Sequence, residues 1–252
     1  MSLNPAQMKA ITHKSGPCMV LAGPGSGKTT VITKRTEYLI KKHRVKPEEI
    51  LVITFSKAAS NEMRERFHKL NPEEKYPVTF GTFHGIYYGI LKWAYKMDAK
   101  NIFSEEEKYQ LLYQIVEQLS LEMEDEKEFI QDIAGEISVI KNNQLMVESY
   151  ESLNCDAVLF RKIYEQYERE RKAKRKIDFD DMLVLTYQLF VNRPDILKMW
   201  QKKYKYILVD EFQDVNQVQY DVIRMLAAPE NNLFIVGDDD QSIYQFRGAR
   251  PD

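Results

Sequence analysis

Short apolar runs rich in β-branched and aromatic residues recur at Cys18–Leu21, Ile50–Phe55, Val78–Thr82, Tyr206–Asp210 and Asn232–Gly237. Helical apolar spacing separates the early ones, most clearly over Thr30–Lys42, with Val31, Ile32, Tyr38, Leu39 and Ile40, and over Ala58–Leu70. Strands alternating with helices imply an α/β fold, a parallel sheet with helices on both faces. Ligands of such sheets bind at the carboxyl ends of the strands. Those ends carry Gly23, Thr54-Phe55, Thr82-Phe83-His84, Asp210-Glu211 and Gly237-Asp238, so all five segments are expected along one edge.

From about Lys92 to Lys176 the pattern changes. Strand-like runs stop, charge density rises, and apolar residues fall at helical spacing: Tyr109, Leu112, Ile115, Val116 and Leu119, then Phe129, Ile133, Ile137 and Ile140. This predicts an all-helical subdomain over residues 95–176, inserted into a sheet domain made of 1–94 and 177–252. The sheet pattern resumes after Ile177-Asp178-Phe179-Asp180-Asp181-Met182, which leads into a helical stretch to Phe190 and the strand ending at Asp210.

Two strand ends carry chemistry. Ala22-Gly23-Pro24-Gly25-Ser26-Gly27-Lys28-Thr29 follows the first apolar run and precedes a helix. A glycine-rich loop there offers backbone N–H groups to phosphate oxygens; its lysine can reach the β- and γ-phosphates and its threonine hydroxyl can ligate magnesium. Ala22 stands where the strict pattern has glycine, a small departure that still lets the backbone approach a nucleotide. About 180 residues later, Asp210-Glu211 closes another strand, and such a pair can hold the metal and orient the attacking water. A plain glycine-rich turn is the competing reading of the loop alone.

Composition narrows the partners. The formal net charge is −2, so no global basic field marks a nucleic-acid binder. Charge is segregated, however: residues 104–136 hold eleven acidic and two basic side chains, and residues 161–176 hold eight basic and three acidic ones. A grooved binder would show this asymmetry, and so would two solvated helix faces. Cys18 and Cys155 are far apart and suggest reduced thiols in a cytoplasmic protein. No apolar stretch is long enough to span a membrane and no signal-peptide core opens the chain.

In order, Leu3-Asn4-Pro5-Ala6-Gln7, the loop Ala22–Thr29, Thr54-Phe55-Ser56-Lys57-Ala58-Ala59 and Thr82-Phe83-His84 resemble motifs of the superfamily 1 DNA helicases of the UvrD/Rep/PcrA type. Phe179-Asp180-Asp181, Asp210-Glu211-Phe212-Gln213-Asp214 and the run Gly237–Ala249 extend the resemblance over nearly the whole chain. It implies a P-loop NTPase, RecA-like first motor domain with an inserted helical subdomain, part of a 3′-5′ helicase that uses ATP and Mg2+ on single-stranded or partial-duplex DNA. It further implies that Gln7 reads adenine and that Ala22 to Thr29, with Thr30 beside them, cradle the nucleotide. Lys28 would neutralise phosphate charge, and Thr29 and Asp210 would hold magnesium. Glu211 would act on the water, Gln241 would sense the γ-phosphate, and Arg247 would couple that site to DNA. Phe55, Tyr244 and Phe246 would stack on bases, and Thr82 and His84 would touch the strand.

The sequence departs from the family pattern at Phe246, where tryptophan is usual, at Thr30, where arginine is common, and at Lys57, which falls one place early. The second motor domain of such helicases is not among these 252 residues. The 252 residues alone are therefore expected to bind nucleotide and DNA without unwinding. A nucleotide-dependent regulatory module is the alternative. A transporter-type ATPase is disfavoured by the run Gln241-Ser242-Ile243-Tyr244-Gln245-Phe246-Arg247.

Overall fold

The computed structural model describes residues 3–121 and 125–238. Its first helix, α1 (Pro5–Thr12), starts at a capping box in which Asn4 and Gln7 exchange side-chain-to-backbone hydrogen bonds, and Pro5 fits the first helical turn. Then come β1 (Cys18–Leu21), α2 (Lys28–His43), β2 (Ile50–Thr54), α3 (Lys57–Leu70), β3 (Thr79–Thr82) and α4 (Phe83–Tyr95). Helices α5 (Glu105–Gln118), α6 (Glu126–Asn142) and α7 (Ala157–Ala173) follow without an intervening strand. The chain continues through α8 (Phe179–Asn192), α9 (Pro194–Lys203), β4 (Tyr206–Val209), α10 (Gln217–Ala227) and β5 (Leu233–Gly237).

The five strands are all parallel, in the order β1-β5-β4-β2-β3. Strand side chains alternate between faces. Leu51, Ile53, Ile207, Val209, Leu233 and Ile235 therefore pack with α4, α8, α9 and α10, among them Tyr87, Ile90, Phe190 and Val222. Their neighbours Ile50, Val52, Leu208, Phe234 and Val236 pack on the other face against Ile11, Val31, Ile32, Leu39, Met63 and Phe67 of α1 to α3. Because both faces are covered, β2 and β5 are buried at every position, which is why they read as unbroken apolar runs. Each large side chain so buried is worth roughly 1.5–3 kcal/mol.

Strands end slightly earlier than the apolar runs. Phe55 lies beyond β2, where the Thr54 hydroxyl donates to Ser56 O at 2.9 Å and turns the chain into α3. Asp210 lies beyond β4; its N–H still donates to Ile53 O at 2.9 Å, but Glu211 adopts a left-handed φ of 51° and ends the strand.

Helices α5, α6 and α7 enclose a core of their own, built on Phe103, Leu112, Ile115, Ile133, Ile137, Phe160 and Ile163. The two chain segments that lead into and out of this unit run side by side. Phe103 N donates to Ile177 O and Ile177 N to Asn101 O, both at 2.7 Å, around an isolated bridge between Ile102 and Ile177. Among the described residues no helix is long and apolar enough to cross a membrane.

Candidate nucleotide and nucleic-acid site

The loop after β1 is anchored at both ends. Ala22 N donates to Gly237 O at 2.9 Å, tying the loop to β5, and Val31 N donates to Gly27 O at 3.0 Å as α2 begins. Gly27 sits at φ 87°, and a Cβ there would lie 3.1 Å from Gln7 Nε2, so both backbone conformation and space call for glycine. Helix α2 starts with no side-chain cap, whereas α1, α3, α4, α8 and α10 each have one. Its first N–H groups and the positive end of its dipole are thus presented at an exposed loop, a ready anion site.

Gln7 is held against this loop: Nε2 donates to Ser26 O at 2.8 Å, and Oε1 accepts from Asn4 N at 2.9 Å. A carboxamide has two donor hydrogens and two acceptor lone pairs, and one of each is used here. The remaining donor and acceptor match the amine and ring nitrogen on an adenine edge.

Opposite the loop, Lys28 Nζ donates to Glu211 Oε2 at 3.2 Å. Gln213, to which the sequence assigned no role, stabilises this carboxylate: its Nε2 donates to Glu211 Oε2 at 2.7 Å while its Oε1 accepts from Asp238 N at 3.0 Å. Gln213 thereby ties the ends of β4 and β5 together. A Cβ on Gly237 would sit 3.0 Å from that Oε1, so glycine leaves room for the link. Asp210 is 5% exposed, and its Oδ1 has no hydrogen-bond partner. Burial and then the Glu211 charge push its carboxyl up to about 6, and the same two causes raise Asp214 to about 6. A buried carboxylate oxygen without a donor fits a divalent cation, so Asp210 with the Thr29 hydroxyl is a chemically suitable pair for magnesium.

On the other half of the same edge, Phe55 is half-buried after β2. The Thr82 hydroxyl accepts from Gly85 N at 3.1 Å and caps α4, which occupies the group expected to touch a strand. His84, on the first turn of α4, meets the ring of Phe179 edge-to-face at 5.6 Å, and Phe179 is 38% exposed. Sheet order places Phe55 after β2 and Thr82 and His84 at the end of β3, with Phe179 reaching His84 from α8, and the glycine-rich loop, Asp238 and Asp210-Glu211 after β1, β5 and β4. Gln241, Tyr244, Phe246 and Arg247 lie outside the described residues.

The segregated charge seen in the sequence is partly an internal network. Lys141 Nζ lies 2.7 Å from Glu168 Oε1, 2.5 Å from Asp178 Oδ2 and 3.1 Å from Asp181 Oδ1. Arg171 pairs with Asp181 at 2.6 Å and Glu168 at 2.7 Å. Glu168, Asp178 and Asp181 are grouped closely enough to ligate a metal, but the Lys141 ammonium sits among them and supplies the cation. Within the basic run, Arg171 and Lys176 turn inward to carboxylates, while Lys172, Lys174 and Arg175 stay exposed.

A phosphate-binding loop ahead of an uncapped helix, on a parallel sheet covered by helices, defines the class: a P-loop, RecA-like α/β domain. Within it, the chain belongs to the UvrD/REP helicase N-terminal domain family, whose model matches residues 3–252. It is 42% identical over 257 residues to the putative ATP-dependent DNA helicase YjcD of Bacillus subtilis (strain 168), an alignment covering all of this chain and 34% of that protein. It is 37% identical to the ATP-dependent DNA helicase Rep of Escherichia coli (strain K12), over 100% of this chain and 38% of Rep. To the ATP-dependent DNA helicase PcrA of Leuconostoc citreum it is 36% identical, over 98% and 34% of the two chains. The chain thus spans little more than a third of the length of these relatives.

Proposed function

We propose that this chain is the ATP- and single-stranded-DNA-binding portion of an ATP-dependent 3′-5′ DNA helicase or translocase that serves DNA repair, replication or recombination. The observation that carries the reading is the Lys28–Glu211 pair at 3.2 Å, set beside the buried, partnerless Oδ1 of Asp210. In it the uncapped N-terminus of α2 and Lys28 bind the β- and γ-phosphates, and Gln7 selects adenine. Thr29 and Asp210 hold magnesium, which when bound neutralises phosphate charge. Glu211, oriented by Gln213, takes the proton of the attacking water. The γ-phosphate sensor is Gln241, and Arg247 links it to DNA.

DNA binds on the β2–β3 half of the edge through Phe55, Thr82 and His84, with Tyr244 and Phe246 completing the base-stacking surface. Neighbouring parallel strands lie roughly 4.8 Å apart, so the hydrolytic end of β4 adjoins the Phe55 end of β2. That adjacency supports coupling of hydrolysis to movement on the strand. The second motor domain that such movement needs lies in the part of the relatives this chain does not span. Residues 1–94 and 177–252 form the first motor domain and 95–176 its helical subdomain.

The test is ATP hydrolysis by the full-length protein with and without single-stranded DNA. DNA-stimulated turnover is expected. ATP and DNA binding without stimulated turnover would favour the regulatory-module alternative instead.

A further inference from the structure

One cation in the core has no part in the chemistry above. Arg35, on the inner side of α2, is 2% exposed and forms no ion pair among the described residues. Its guanidinium carbon lies 4.4 Å from the centroid of the Phe234 ring on β5. Nη1 donates to the carbonyls of Ala10 at 3.3 Å and Ile11 at 3.4 Å, and also to His13 O. These are the terminal carbonyls of α1 and its C-cap residue, groups that a helix leaves without partners at the negative end of its dipole.

A charge buried without an ionic partner is costly, and an apolar side chain would pack against Phe234 at lower cost. Apart from the Phe234 ring face, the compensation consists of hydrogen bonds directed at the end of one short helix. At the other end of that helix stands Gln7, bonded to Ser26 O of the phosphate loop at 2.8 Å. An eight-residue helix transmits a shift at one end to the other, since its backbone hydrogen bonds make it a stiff unit. Burial lowers the guanidinium only to about 10, so it remains a cation at neutral pH.

We propose that Arg35 is a positioning residue for base recognition: it fixes the C-terminal end of α1 between α2 and β5 and thereby holds Gln7 at the adenine side of the phosphate loop. The role rests on the reading that ATP binds at that loop. Arginine suits it because one flat group can stack on a ring with its face and donate to carbonyls with its edge. Lysine keeps the charge but has no such face.

The experiment compares wild type, Arg35→Met, Arg35→Lys and Gln7→Ala in the full-length protein. Calorimetry gives the affinities for ATP, GTP and inorganic tripolyphosphate, each with magnesium, and thermal melting is recorded alongside. Arg35→Met should weaken ATP on the order of tenfold, the effect of losing one or two hydrogen bonds. Preference for ATP over GTP should fall with it, while tripolyphosphate affinity stays within about twofold, as expected for a contact that touches only the base. Arg35→Lys should show the same selective loss in smaller degree, and carries the test if Arg35→Met does not fold. Adding Arg35→Met to Gln7→Ala should cost no further ATP affinity, because both act through one contact.

Equal weakening of ATP and tripolyphosphate would overturn the proposal, as would unchanged ATP affinity with a lowered melting temperature. Wild-type protein that binds neither ligand would remove the nucleotide reading along with it.

Discussion

Lys28 and Glu211 share one ion pair, yet replacing each should damage a different step. In the proposed reading the Lys28 charge faces phosphate in ground and transition states, so Lys28→Ala should weaken ATP binding roughly 10- to 100-fold, the value of a charge-assisted hydrogen bond. Glu211→Gln preserves shape and the contact with Gln213. In the full-length protein it should leave ATP affinity within a few-fold while lowering hydrolysis about 10²–10⁴-fold, the contribution of a general base. Equilibrium binding and single-turnover hydrolysis separate the two, and normal turnover in Glu211→Gln would remove it from that role. Phe55→Ala should lower single-strand affinity by about 1–3 kcal/mol if the ring stacks on a base. A drop in melting temperature with unchanged DNA affinity would instead assign Phe55 to packing. The placement of Lys28, Asp210 and Glu211 beyond strand ends was legible in the sequence because apolar runs and a glycine-rich loop mark those ends locally. Gln213, Arg35 and Lys141 were not. Each is defined by partners on other elements, such as Asp178, 37 positions from Lys141, and no local pattern encodes such a contact.

Among the elements, α8 joins the helical unit to the sheet domain, and its first turn carries the charges that do so. Asp178 caps α8 while accepting from Lys141 on α6 at 2.5 Å and from the Tyr167 hydroxyl on α7 at 2.8 Å. Asp180 accepts from Ser138 and Asn142 of α6. Lys141→Met would leave Glu168, Asp178 and Asp181 facing one another without their central cation. A loss of roughly 3–5 kcal/mol in urea unfolding is expected, partly recovered by adding Asp181→Asn. The same joint sets a pH dependence. Burial works against the Glu168 charge, but Lys141 and Arg171 hold its carboxyl down to about 2, and Lys141 likewise keeps Asp178 below the usual range. Their stabilisation is full above the unfolded carboxylate value of about 4 and is lost as pH falls below it. Asp181 has the opposite sign: burial, with the Asp178 charge adding to it, raises it to about 6, so its protonation favours the fold as pH drops from 7 toward 5. Stability should therefore hold or rise slightly between pH 7 and 5 and then fall below about 4. Asp181→Asn should reduce the gain in the upper window without removing it, because Asp210 and Asp214, also raised to about 6, contribute with the same sign, and steady loss from pH 7 downward in wild type would contradict this assignment. Sequence periodicity marked the strands and the two helices that carry Tyr109 to Val116 and Phe129 to Ile140, because apolar spacing is local. It did not single out α1, α4 or α10. In α4, Phe83-His84-Gly85-Ile86-Tyr87-Tyr88 is aromatic and glycine-bearing, and its helix is supported by the Thr82 cap and by burial of Phe83, Tyr87, Ile90 and Leu91 against the sheet.

At the scale of the molecule, sheet order does what the sequence could only suggest. It puts the glycine-rich loop, Asp238 and Asp210-Glu211 after β1, β5 and β4 and Phe55, Thr82 and His84 at the ends of β2 and β3, which in the proposed reading are a nucleotide half and a strand-binding half of one edge. The two halves adjoin, but the motor reading needs more than adjacency. Translocation requires a second domain that opens and closes on the first with each nucleotide cycle. This chain spans 34% of YjcD and 38% of Rep, which leaves most of such a protein outside it. Residues 1–252 expressed alone should fold, because both faces of the sheet and the separate helical core are filled by residues of the same continuous segment. They should bind ATP with magnesium weakly, since Lys28, Asp210 and Gln7 are present but only one wall of the cleft is. Hydrolysis should be slow: an arginine supplied from outside is worth about 10³–10⁵ in rate in comparable phosphoryl-transfer sites, and in this reading it comes from the second domain. Strand displacement should be undetectable. Purified residues 1–252 assayed for ATPase activity with and without single-stranded DNA, and for unwinding of a partial duplex, decide the matter. Robust DNA-stimulated turnover by the monomer would mean that the active site is completed within these residues, and the two-domain account of the mechanism would have to be abandoned.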